Sequence, residues 1–98
     1  MGYNLVISPE AQTDFDLSYE YYLEISWVIA NKFKQELFDY IEKIQTNPLL
    51  EIRYLDFRFM PMNRFPFVII YTVDLDEKLV EIRAIFHTSR DPYDYPNV

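Results

Sequence analysis

The alternation of hydrophobic and polar positions divides the chain into a helical first half and a strand-rich second half. Residues 3–8, "YNLVIS", form a short strand, and "SPEA" then starts a helix. Ser8 is the N-cap, Pro9 takes the first helical position, and Glu10 faces the positive end of the helix dipole. Ala11, Phe15, Tyr19 and Tyr22 repeat at helical spacing with Leu23 beside them. The first helix is therefore predicted from Pro9 to about Glu24, with Asp14, Asp16 and Glu20 on its wet face. Ser26 caps a second helix, whose stripe Ala30, Phe33, Leu37, Ile41 and Ile44 ends at "TNP", where Pro48 forbids continuation. Asp39 and Lys43 are an acid-before-base pair one turn apart on it. Trp27, at its start, is expected to be buried because its ring is large. So short a connection makes the two helices an antiparallel hairpin. Neither is apolar all round, so both must lie over something.

Strand periodicity begins after Pro48, with strands predicted at roughly Glu51 to Asp56, Phe57 to Met62, Phe65 to Val73 and Leu79 to His87. "DLDEK" joins the last two as a hairpin, so that pair is antiparallel. "FPFVIIYTV" is apolar on both alternating faces, the pattern of a central strand covered on each side, with Pro66 tolerated near its start. In the last strand Val80, Ile82, Ala84 and Phe86 form one row, expected under the helices. Glu81, Arg83, Ile85 and His87 form the other, left open. The fold class predicted is α+β: an N-terminal strand and a helical hairpin packed on one face of a small antiparallel sheet.

Half of the 98 residues are hydrophobic and 18% are aromatic. A chain of this length makes one domain, spanning residues 1–98, that buries roughly 60–70% of its unfolded surface. There is no Cys, so the fold does not depend on redox state. No run reaches the roughly 18 apolar residues of a membrane span, and "MGYNLVIS" has no signal-peptide pattern. The expectation is a cytoplasmic protein without membrane association. The net charge of −7 repels phosphate backbones and disfavours direct nucleic-acid binding.

The charges are unevenly spread. Lys32, Lys34 and Lys43 belong to the first half, and all five arginines, Arg53, Arg58, Arg64, Arg83 and Arg90, follow Pro48. Arginine presents a planar fork for carboxylate or phosphate. The segregation fits a recognition surface, and it fits cross-strand pairing with Glu51, Asp56 and Glu81 as well. One His and no Cys argue against a zinc-type metal site. A single Gly excludes a Gly-rich phosphate loop, and no cofactor is called for. Ser89, His87 and Asp91 lie too close on one extended segment for a catalytic triad. His87, Arg90 and a Tyr at a strand end are chemically more useful, because Arg stabilises phosphate charge and His or Tyr moves a proton. Equally, a strand-end His bonds backbone, and "RDP" forms a salt-bridged turn.

The order of motifs resembles the RelE/ParE superfamily of bacterial toxins from type II toxin–antitoxin pairs. The matching pieces are "SPEA", the "YY" near the end of helix one, the "NP" after helix two, "RFPFVIIYTV" and finally "VEIRAIFHTSRDP". The resemblance spans nearly the whole chain. It implies the α+β fold already read from periodicity, and a cognate antitoxin whose flexible segment folds over the toxin, as an open sheet row would allow. Members that act as ribosome-dependent mRNA endonucleases carry a central-strand arginine where this chain has Val68, and basic residues upstream where it offers Arg53 and Arg58. On that reading the catalytic residues are Arg90, His87 and Tyr93, with Arg83 or Arg64 replacing the missing arginine. The pattern is closer to the ParE, or plasmid-stabilisation, branch, whose members inhibit DNA gyrase by binding. There Arg64, Arg83, Arg90 and Tyr95 are the candidate partner contacts. An inactive antitoxin-binding module is the third reading.

Overall fold

The structure, a computed structural model, describes residues 3–50 and 52–88, and of residues 50 and 52–54 the backbone alone. Strand β1 (Asn4–Ile7) leads into helix α1 (Pro9–Ile25) and helix α2 (Trp27–Thr46). A short 3-10 turn (Pro48–Leu50) follows, then strands β2 (Ile52–Tyr54), β3 (Phe57–Pro61), β4 (Phe67–Asp74) and β5 (Leu79–His87). The five strands form one sheet in the order β1-β5-β4-β3-β2. β2 through β5 pair antiparallel, as expected, while β1 joins the edge parallel to β5 with Leu5 opposite Val80 and Ile7 opposite Ile82. The sheet is thus mixed, since α1 and α2 carry the chain away from β1 before the sheet is completed.

Both helix starts follow the capping logic. The Ser8 Oγ accepts from the Ala11 N–H, and the Ser26 Oγ from the Ile29 N–H. Ser26 alone joins the helices. Phe15 stacks on Phe38, and Tyr19 bonds Asn31, so residues farther back along α1 meet residues farther along α2, the mark of an antiparallel hairpin. All five residues of the α2 stripe are buried. Phe33, Leu37, Ile41 and Ile44 among them, with Ala11 of α1, share one core with Phe67, Ile69, Tyr71, Val80, Ile82 and Ile85 of the sheet. On α1 only Ala11 is buried; Phe15 and Tyr22 pack partly against the core, whereas Leu23 is exposed.

Four expectations need correction. Trp27 is 68% exposed, because it occupies the first position of α2 beside the Ser26 joint, a turn before the buried stripe begins. Asp39 and Lys43 form no ion pair: Asp39 accepts from Gln35 Nε2, and the Lys43 ammonium sits 5.1 Å over the Tyr40 ring. Asp14 does not belong to a wet face, since its Oδ2 accepts the Ile85 N–H at 3.0 Å.

The last correction concerns the rows of β5. Ile70 pairs with Ala84 and Tyr71 with Ile82, leaving Arg83 as an extra residue in β5. Such a bulge shifts the alternation by one. Val80 and Ile82 face the helices as expected, but beyond the bulge Ile85 joins them, and Ala84 and Phe86 turn to the reverse face. There they are buried with Phe57, Val68 and Ile70 in a second apolar cluster. That face is therefore not an open row.

Candidate functional site

β1 ends opposite Ile82, which leaves the outer edge of β5 beyond that point without a strand. Two side chains from the start of α1 finish it. The Ser8 Oγ donates to the Arg83 carbonyl at 3.1 Å, and the Asp14 carboxylate receives the Ile85 N–H. A bulge would otherwise leave these backbone groups short of partners. The bulge thereby fixes where the rest of β5 points, including its terminal His87.

His87 pairs with Phe67 across the sheet and meets its ring edge-on, with centroids 5.0 Å apart. Thr88 closes this end: its N–H and its Oγ1 both donate to the Pro66 carbonyl, at 2.8 and 3.1 Å. Phe67 is in turn packed on Tyr22 and Phe33. Tyr22 belongs to the same aromatic layer, where burial, and after it the neighbouring Tyr21, raises its phenol above the ordinary value of 10.0. The strand end is thus a rigid aromatic platform carrying an imidazole that is only partly covered.

Of the sequence-derived candidates, Arg64, Arg83 and His87 fall among the described residues, Arg64 in the β3–β4 connection and the other two on β5. Arg64 lies in the β3–β4 connection, where its backbone N–H donates to Glu36 Oε2 of α2 at 3.0 Å. Arg83 sits at the bulge and pairs through Nη1 with Glu81 at 2.8 Å. It is four residues up the strand from His87, roughly 13 Å at strand rise. Arg58 donates through Nη1 to the Leu49 carbonyl at 3.3 Å. Val68 is only 6% exposed and belongs to the reverse-face cluster. Arg90, Tyr93 and Tyr95 lie outside the described residues, as do Ser89, Asp91, Glu51 and the side chain of Arg53.

One arrangement was not read from the sequence. Lys32, Glu36, Tyr40 and Lys43 of α2 face Arg64 and Phe65 across a cavity of about 510 Å³. The spacing of the α2 residues is visible in the sequence, but their opposition to the β3–β4 connection is purely tertiary. Among the described residues no group of three His, Asp or Glu is placed to hold a metal ion, and no helix is long and apolar enough to cross a membrane.

Comparison with known proteins places this architecture. No curated protein sequence matches the chain. Among solved structures, a chain of the chromosomal ParDE toxin–antitoxin system from Pseudomonas aeruginosa is similar, with TM-score 0.76 at 20% identity, covering 89% of this chain and 97% of that one. A chain of the RelBE2 toxin–antitoxin complex from Mycobacterium tuberculosis gives TM-score 0.56 at 15% identity, with coverages of 89% and 99%. The isolated RelE toxin of Escherichia coli gives 0.55 at 13%, with coverages of 93% and 89%. These likenesses establish the fold, two helices on one face of a mixed sheet. The family model that describes the ParE toxin of type II toxin–antitoxin systems matches residues 5–92, from β1 past the end of β5, and by that match the chain belongs to the ParE toxin family.

Proposed function

We propose that this toxin arrests growth by binding DNA gyrase, not by cutting mRNA on the ribosome, and that a cognate antitoxin keeps it silent. The observation that carries the reading is Val68. It holds the position at which the endonuclease members of the superfamily carry an arginine, and it is packed with Phe57, Ile70, Ala84 and Phe86. A guanidinium there would have to be stripped of water among side chains that, in the described residues of this cluster, include no carboxylate. The net charge of −7 supports the same reading, because cleaving RNA on a ribosome requires cations against phosphate.

In this reading residues 1–98 work as one domain in the cytoplasm. Arg90 and Tyr95, with Arg64 and Arg83, contact protein partners. Arg64 and Arg83 belong to different elements, the β3–β4 connection and the bulge of β5, and protein contacts can be drawn from both.

The test is induced expression of the chain alone beside Arg90→Ala, scoring growth, plasmid supercoiling and mRNA integrity. The expected result is arrest by the parent with altered supercoiling and intact mRNA, and loss of both effects in Arg90→Ala. Cleaved mRNA with normal supercoiling would overturn the gyrase target and return His87, Arg90 and Tyr93 to catalytic roles. Normal growth with soluble protein would leave an inactive antitoxin-binding module.

A further inference from the structure

We infer that the tip of the helical hairpin is a self-association surface, on which a second copy of this chain seats its own tip about a two-fold axis. The segment "LEISWVI", residues 23–29, carries the chain from α1 into α2, and connections of this kind are normally polar. Here Tyr21, Leu23, Ile25, Trp27, Val28 and Ile29 are all between 38% and 68% exposed. The tip is held rigid from within. Asn31 Nδ2 donates to the Trp27 carbonyl at 2.9 Å, and Asn31 Oδ1 accepts from the Tyr19 hydroxyl of α1. With Ser26 capping α2, the patch is set before a partner arrives, which lowers the cost of ordering it.

Its extent fits a dimer. A large aromatic side chain buries about 150–250 Å², and a Leu, Ile or Val about 60–120 Å². At the exposures observed, the six side chains present about 300–550 Å² of apolar surface. A standard interface takes about 800 Å² from each partner, of which about 57%, roughly 450 Å², is apolar. The patch therefore supplies one side of such an interface.

The charges beside it select a second copy. Glu24 lies two residues before the Ser26 joint and Lys32 six residues after it, about 3 and 9 Å along their helices. Two hairpins overlapping tip to tip by about 12 Å bring the Glu24 of each against the Lys32 of the other, and the overlap covers all six hydrophobic residues. Among the described residues neither Glu24 nor Lys32 makes an ion pair within its own chain. A two-fold interface requires a surface complementary to itself, and this tip holds the acid, the cation and the apolar floor on one copy. An anionic membrane is the poorer occupant, because Glu20, Glu24 and a net charge of −7 are repelled by it.

Trp27 is the only Trp of the chain, so its emission reports on the interface directly. The test is sedimentation equilibrium of the purified full chain, with Trp27 emission recorded over the same concentrations. The expected result is a mass that rises from one chain towards two across the micromolar range, with the emission moving to the blue in step. Ile25→Gln/Val28→Gln should weaken the association about ten-fold or more, and Leu49→Gln/Leu75→Gln, exposed hydrophobics away from the tip, should leave it within about two-fold. Glu24→Lys should weaken it several-fold, and adding Lys32→Glu, which returns the net charge to that of the parent, should restore it. All these side chains are exposed, and thermal melts check that the variants fold. A parent that stays monomeric throughout overturns the inference. So does an association that Ile25→Gln/Val28→Gln leaves intact, that Leu49→Gln/Leu75→Gln weakens equally, or that the charge swap fails to restore. A monomeric parent whose Trp27 emission shifts only on adding anionic vesicles would overturn it too, and assign the tip to a lipid surface.

Discussion

Ser8→Ala tests how α1 is tied to the bulged strand. The Ser8 side chain is part of a residue only 4% exposed. Its Oγ accepts from the Ala11 N–H at 3.1 Å and donates to the Arg83 carbonyl at 3.1 Å. Removing the cap costs about 1 kcal/mol. Stranding a partly buried carbonyl adds about 1–3 kcal/mol, because among the described residues no strand lies beyond β5 at that point to replace the donor. The expected loss is therefore about 2–4 kcal/mol. Ser26→Ala supplies the reference: it removes the same kind of cap, bonded to the Ile29 N–H at 3.4 Å, but at an exposed site where water substitutes. There the loss should stay at the low end of the cap range, about 0.5–1 kcal/mol. Urea titrations with a common m-value give both numbers, and in a domain of this size about 1 kcal/mol shifts Tm by about 4–8 °C. If Ser8→Ala costs no more than Ser26→Ala, the Arg83 bond contributes nothing, and the claim that α1 holds the bulge is refuted.

Phe33→Ala removes a fully buried ring whose centroid lies 5.2 to 6.1 Å from those of Phe15, Tyr22, Phe65 and Phe67; a loss of about 3–5 kcal/mol is expected in denaturant titration. Val68→Arg, which restores the arginine of the endonuclease pattern, should cost about 3–5 kcal/mol by burying an unpaired charge and create no RNA cleavage on ribosomes. Cleavage by a folded variant would refute the assignment drawn from Val68. Tyr71→Phe strands the Pro48 carbonyl, which accepts from the Tyr71 hydroxyl at 2.8 Å in the core, and should cost about 1–3 kcal/mol in the same assay. The raised Tyr22 phenol ionises in the unfolded chain before it does in the folded one. Its contribution is intact below the ordinary value of 10.0 and is lost as pH rises through the raised folded value. Urea midpoints should accordingly fall above about pH 10, less steeply in Tyr22→Phe.

The helices were legible because their signals are local. Ser8 and Ser26 sit where caps are needed, and the α2 stripe has one period over four turns with a proline to stop it. β5 was legible as a strand but not as two faces. Alternation assigns Val80, Ile82, Ala84 and Phe86 to one side, and one bulged residue overrides it after Ile82. Nothing in "VEIRAIFH" announces the bulge, since its partners, Ser8 and Asp14, lie 75 and 71 residues away in sequence. Asp14 was misread for the same reason: in a helical projection it is a polar residue off the stripe, and only the end of β1 opposite Ile82 leaves the Ile85 N–H for its carboxylate to accept. Trp27 shows the opposite limit, for size argues for burial only where there is a surface to cover the ring.

These misreadings meet at one point. The bulge makes Arg83 the extra residue of β5 and leaves it against Glu81, so its guanidinium already has an intramolecular partner. Among the described residues the Arg64 guanidinium has no such partner, and Glu36 takes its backbone N–H. Two arginines that sequence treats alike thus differ in availability by one hydrogen bond. This predicts an order of effects in the growth assay: Arg64→Ala should weaken the arrest by the expressed chain more than Arg83→Ala, because the parent's Arg83 would have to leave Glu81 to meet a partner. The reverse order would mean that a partner displaces Glu81 at the bulge, and the difference in availability between the two arginines would then decide nothing.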